Sequence, residues 1–172
     1  MSGVTTDGTW PSTPANVSLM AMPTALWFEH LAGKHWHNDL RLHIGGHRHT
    51  CDSYYLTLES QHLGANLIRL LEQWIEQVNE LRGAGGTAYL PYDFSDQCTA
   101  WLRVSAADGH TAVVQAGWSL IEAWRIDPSD YRATAPDVTD FKPIANAQIE
   151  CTLDDLATRI ALNRGSFATL RH

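Results

Sequence analysis

An α+β fold built on an antiparallel sheet is what this sequence predicts, and three observations carry it. "NDLRLHIGG" (38–46) alternates apolar and polar residues and ends in a Gly-Gly turn. Leu63, Leu67, Leu70, Leu71, Trp74, Val78 and Leu81 recur at the spacing of one helix face. A second alternating pair, "CTAWLRVSA" (98–106) and "TAVVQAGWSL" (111–120), flanks the turn signal Asp108-Gly109. Adjacent hairpins imply antiparallel pairing, and the long helix must cover a sheet face. The expected order is β-β-β-α-β-β-β-α: a sheet of about six strands packed on one long helix and one short C-terminal helix.

The elements follow in chain order. Residues 1–22 contain "TWPSTPAN" and read as a loose or strapped-down arm, which leaves 23–172 as one α+β domain, the expectation for 172 residues. "ALWFEHLAG" (25–33) is strand-like. In 38–46, Leu40, Leu42 and Ile44 take one face and Asp39, Arg41 and His43 the other. "HRHTCDSYYLTLE" (47–59) reads as the return strand, with Tyr54, Leu56 and Leu58 on one face. The helix follows, with Ser60 as its expected N-cap, Glu72, Gln73, Glu76, Gln77 and Glu80 as its wet face, and Gly83, Gly85 and Gly86 as its stop. "TAYLPYDF" (87–94) is expected to be a short edge piece, because Pro91 cannot donate to a ladder. "IEAWRI" (121–126) continues or bends from the strand before it. A polar loop spans 127–146. Thr152 and Asp155 form a capping pattern for the last helix, whose apolar side is Leu153, Leu156 and Ile160.

Composition excludes several classes of function. A formal charge of −7 opposes nucleic-acid binding, which needs a basic face. No span reaches the roughly 18 apolar residues of a membrane helix. The first basic residue is Lys34, so the apolar "VSLMAMPTALWF" lacks the positive region of a secretory leader. Three cysteines with no C-x-x-C pair read as reduced thiols in a cytoplasmic protein.

No catalytic residue is identified. "GWSLI" (117–121) fails the G-x-S-x-G pattern, and "RGAGG" follows a helix where a phosphate loop would precede one. Asp93/Asp96 and Asp127/Asp130 are paired carboxylates in turn contexts, where Asp commonly bonds the local backbone.

The run from Gly33 to Cys51 holds five of the nine histidines. A two-residue turn at Gly45-Gly46 sets Ile44 opposite His47, Leu42 opposite His49 and Leu40 opposite Cys51, with His43 on the other face. His35, His37 and His43 share one parity, and His47, His49 and Cys51 the other. On a straight strand His47 to Cys51 spans about 13 Å, too far for one ion. If a metal binds, His47 and His49 are the chelating pair. Polar hairpin histidines are the plainer expectation, and no metal or other cofactor is predicted.

Charge is distributed unevenly. Residues 127–150 carry five acids and two bases, and 87–126 four acids and two bases. Aromatics are interleaved: Tyr89, Tyr92, Phe94, Trp124, Tyr131 and Phe141. Acidic loops with rigid aromatic anchors suit the capture of a basic protein surface. The contact is placed on Asp93, Asp96, Asp127, Asp130, Tyr131, Asp137 and Asp140.

"YLPYDFSDQCTAWLRV" (89–104), followed by "GWSLIEAWRIDPSDY" (117–131), resembles a block found in the immunity proteins of polymorphic and contact-dependent bacterial toxin systems. The similar stretch covers about residues 54–145 and leaves out the histidine hairpin. The resemblance implies a cytoplasmic, non-enzymatic protein that binds and neutralises a cognate toxin, often a basic nuclease. The alternative is a His-rich metal-binding protein or metal-dependent enzyme using the 35–49 hairpin.

Overall fold

The structure is a computed structural model that describes residues 26–33, 38–58 and 62–170. The expected arm (1–22), His35, His37 and the expected N-cap Ser60 lie outside the described residues.

Two antiparallel sheets and their helices make an α+β fold. The first sheet has the order β1 (Leu26–His30), β2 (Leu40–Ile44), β3 (His47–Cys51). The second has the order β4 (Gly86–Phe94), β5 (Thr99–Ala106), β6 (Thr111–Ser119), β7 (Lys142–Thr152). The helices are α1 (Tyr54–Thr57), α2 (Leu63–Glu80), α3 (Tyr131–Thr134) and α4 (Leu153–Ser166). No helix among the described residues is long and apolar enough to cross a membrane.

The hairpin register is the expected one: Leu40 faces Cys51, Leu42 faces His49, His43 faces Arg48 and Ile44 faces His47. Gly45 takes a φ of 57°, which only glycine adopts cheaply at the first turn position. The return strand is shorter than expected and stops at Cys51. Asp52 Oδ1 accepts the backbone N–H of Tyr54 at 2.7 Å, a local turn that diverts the chain into α1.

The helical stripe is buried as the spacing requires, from Leu63 through Leu81. Gln73 departs from the expected wet face. It is fully buried, and its Nε2 donates to Pro128 O at 3.0 Å because the segment after β6 docks on α2. That segment holds short 3-10 turns at Ala123–Arg125 and Pro128–Asp130 before α3.

The second sheet has one more strand than the expected order. β7 begins in the end of the predicted polar loop and runs on past it, where Ala147, Ile149 and Cys151 alternate with Gln148, Glu150 and Thr152. Its pairing with β6 is broken between Gln115 and Gly117, and Asn146 has a φ of 62°. Gln115 repairs the break: its Nε2 donates to the carbonyls of Ala116, Ile144 and Ala147 at 2.8–3.1 Å. Gly117 leaves room for the Phe141 ring where any Cβ would collide. β4 is an edge strand, as Pro91 implies, but runs for nine residues.

Both sheets and the helices share one core. Phe28 of β1 tilts against Trp74 of α2 with ring centroids 5.6 Å apart, and Trp74 Nε1 donates to Pro91 O at 3.1 Å. α4 is capped as expected, Thr152 Oγ1 accepting from Asp155 N at 3.0 Å. It also closes the free edge of β1. Asn163 Oδ1 accepts the Phe28 N–H at 2.6 Å, and its Nδ2 donates to the Phe28 carbonyl at 3.0 Å. One amide thus supplies both bonds that a further strand would have made.

Two outcomes follow. Asn163→Ala leaves both Phe28 groups without these partners and is expected to cost about 1–3 kcal/mol in urea unfolding. An unchanged midpoint would show that water replaces the amide fully. The second concerns Tyr131, buried with its hydroxyl donating to Gln77 Oε1. Burial holds its phenol well above the ordinary value of 10.0. The native state therefore keeps a proton that the unfolded chain releases. The resulting stabilisation is complete below about pH 10 and declines as pH rises toward the raised native value. Tyr131→Phe should reduce the alkaline slope of unfolding free energy by about 1.4 kcal/mol per pH unit; identical slopes contradict this.

Candidate functional site

The seam between the sheets gathers chemistry-bearing side chains, and a cleft lined by α1 exposes apolar ones.

The seam begins with a bulge. Pro91 pairs with Trp101 and Asp93 with Ala100, so Tyr92 is an extra residue in β4. A bulge lets consecutive residues reach the same region, which a regular strand forbids. Both reach His49 on β3. Asp93 Oδ2 lies 2.8 Å from His49 Nε2, and Tyr92 Oη lies 3.1 Å from His49 Nδ1. The neutral imidazole with its proton on Nε2 satisfies both contacts, donating to Asp93 and accepting from Tyr92. Burial pushes the Tyr92 phenol far up, which keeps it a donor. The second Asp93 oxygen accepts the Asp52 backbone N–H at 3.1 Å.

The rest of the seam follows from register. Asp93, Ala100 and Trp118 are partners across β4, β5 and β6 and share a face. The His49 ring sits beside Trp118, centroids 5.0 Å apart. Cys51 lies two residues along β3, and its thiol donates to His49 O at 3.4 Å. Burial first, then the Asp93 charge, push this thiol well above its ordinary value. One ring nitrogen of His49, Cys51 Sγ and one Asp93 oxygen all lie within 4.8 Å of one another.

This corrects the expectation for Asp93. Asp93 does not bond a local turn; it is 6% exposed and reaches across to the other sheet. The His47 and His49 ring centroids are 6.4 Å apart, and the side-chain hydrogen bonds of His49 are with Tyr92 and Asp93 of β4. Cys51 converges with His49 and with Asp93 of β4, a group from outside the hairpin. His43 is on the other face as expected, stacked on Trp27 at 4.1 Å and bonded to Glu29 at 2.7 Å.

The second place is a cleft of about 590 Å³ lined by α1, the start of α2, residues 124–129 and Thr134. Trp124 is 68% exposed and Leu58 55% exposed, and both line it. Tyr55 lines the same cleft and donates to Asp96; that bond raises its phenol to about 12. Asp127 stands at the cleft but spends one carboxylate oxygen on Ser129 N and Oγ, as a turn aspartate should.

The seven residues assigned to a partner surface therefore separate. Asp93 and Tyr131 are buried and face inward. Asp96 and Asp130 are exposed beside or near the cleft. Asp137 is exposed, at a different depression with Tyr89 and Trp101. Asp140 is half-buried and accepts from Leu120 N at 2.7 Å. Trp124 and Leu58 were not in that set. Nothing local in the sequence separates Trp124 from the buried tryptophans.

The chain matches no protein-family model, no curated protein and no solved structure.

Removing a buried carboxylate that holds a histidine and a backbone N–H should cost far more than removing an exposed one. Asp93→Ala is expected to lower stability by about 3 kcal/mol. Asp96→Ala should cost under about 1 kcal/mol. Chemical denaturation of the two variants compares them directly, and equal losses would contradict the seam geometry.

Proposed function

We propose that this protein acts by holding another protein, as a cytoplasmic immunity protein that neutralises a cognate bacterial toxin of basic surface, a nuclease being the class that fits best. The observation that carries the reading is the cleft with Trp124 and Leu58 exposed on it and Asp127 and the Tyr55–Asp96 pair beside them. Exposed tryptophan next to carboxylate is the composition of an interface anchor. The formal charge of −7 would steer a basic partner toward it. The contact set is accordingly Trp124, Leu58, Asp96, Asp127 and Asp130.

The competing reading, a histidine-using enzyme at the hairpin, has less support. Tyr92 and Cys51 are buried, and only 11% of the His49 side chain and 9% of the Asp93 side chain are exposed, which gives a substrate little access to them.

The test takes the C-terminal domain encoded by the gene directly upstream and expresses it in a bacterial host. Growth arrest relieved by co-expression of this chain, with a stoichiometric complex on gel filtration, is the expected result. Trp124→Ala should weaken that complex at least about tenfold while leaving the fold intact, since the side chain is exposed. Toxicity that this chain does not relieve would overturn the reading.

A further inference from the structure

We propose that His49, Cys51 and Asp93 form a buried site for a divalent transition metal, zinc foremost, that joins the two sheets. The site is independent of the cleft.

The donor set is the first argument. A thiolate, an imidazole and a carboxylate together suit zinc among the abundant divalent ions. Their atoms lie within 4.8 Å of one another, and the His49 Nε2 to Asp93 Oδ2 distance is 2.8 Å. Donors around tetrahedral zinc stand about 3.4 Å apart. The proton shared by His49 and Asp93 thus holds the place an ion would take. A modest opening of that pair and a closing of Cys51 completes three ligands, and water or a further oxygen supplies the fourth.

The outer groups agree. With Nε2 on the metal, Nδ1 carries the imidazole proton and points at Tyr92 Oη, 3.1 Å away. Such a bond from the non-ligating nitrogen normally fixes the orientation of a metal-bound histidine. The surroundings are acidic: Asp52 follows Cys51 directly and gives its N–H to Asp93, and Ser53, the next residue, donates to Asp39 Oδ2 at 2.8 Å. Asp39 Oδ1 is buried with no hydrogen-bond partner among the described residues. A cation relieves this accumulation of negative charge, and it converts Cys51 from thiol to thiolate. The proton balance is simple. The Nε2 proton moves to Nδ1, and the Cys51 proton leaves, one per ion bound.

This goes beyond the pairing of His47 with His49 that the hairpin spacing suggests. It takes one histidine from that pair and finds the other ligands along β3 and across the seam.

The experiment uses the full chain without an affinity tag, stripped with chelator and titrated with Co²⁺, then with Zn²⁺ in competition. Expected are one Co²⁺ per chain, a thiolate-to-cobalt charge-transfer band, tetrahedral ligand-field bands, and a melting temperature that rises with Zn²⁺ concentration. Cys51→Ser, close to isosteric, should abolish the charge-transfer band and weaken Zn²⁺ binding at least about 100-fold. His47→Gln should leave both unchanged. Less than a tenth of an equivalent of bound metal, binding undiminished in Cys51→Ser, or loss of binding in His47→Gln would each overturn the assignment. Circular dichroism of the metal-free variants confirms that they are folded. Asp93→Asn, which keeps the side-chain shape, provides a second ligand variant.

Discussion

The carboxylate of Asp93 is the contact on which the arrangement of the two sheets turns. β3 and β4 are edge strands of different sheets, and no backbone ladder joins them. Asp93 spans the gap, with one oxygen on His49 Nε2 and the other on the Asp52 N–H. A buried carboxylate costs several kcal/mol in lost hydration unless its lone pairs are filled. Both of its oxygens have donors, one on β3 of the other sheet and one on the residue that follows β3. The price of burying the charge is thereby tied to one relative placement of the sheets.

Neighbouring features fall into place around that contact. The β4 bulge aims Tyr92 and Asp93 at the same imidazole. Pro91, just before the bulge, has no N–H to leave unsatisfied at the edge, and its carbonyl accepts from Trp74. Trp74 in turn meets Phe28, whose backbone is held by Asn163. The chain of contacts runs from seam to α2, to β1, to α4 without leaving the core. Two of the exposed apolar side chains outside this chain of contacts, Trp124 and Leu58, line the same cleft.

Elements with strong local periodicity were legible in the residues themselves. The hairpin register follows from alternation plus a turn that only glycine enters easily, and it came out pair for pair. The α2 stripe and the Thr152 cap are equally local. Three features escaped. β7 opens in the polar stretch and alternates only from Ala145 on, and its irregular pairing is held by the Gln115 amide from another strand. The stretch after Cys51 looks like continuing strand, but the Asp52 side chain diverts it. Gln73 looks solvated until the 127–131 segment docks over it.

The site divides in the same way. The sequence by itself determined that His47, His49 and Cys51 share one face and that His43 does not, because side-chain direction along a strand has a period of two. It also determined the α+β class, since both periodicities are written in the chain. Only the tertiary structure decided which residue meets His49. Asp93 lies 44 positions away, and the bulge that turns Tyr92 and Asp93 toward the same ring is a property of β4 packed against its neighbours. It likewise decided that Asp93 and Tyr131 are inside while Trp124 is outside. Burial is set by what lies on top of a residue, and no local pattern encodes the element that arrives from elsewhere in the chain.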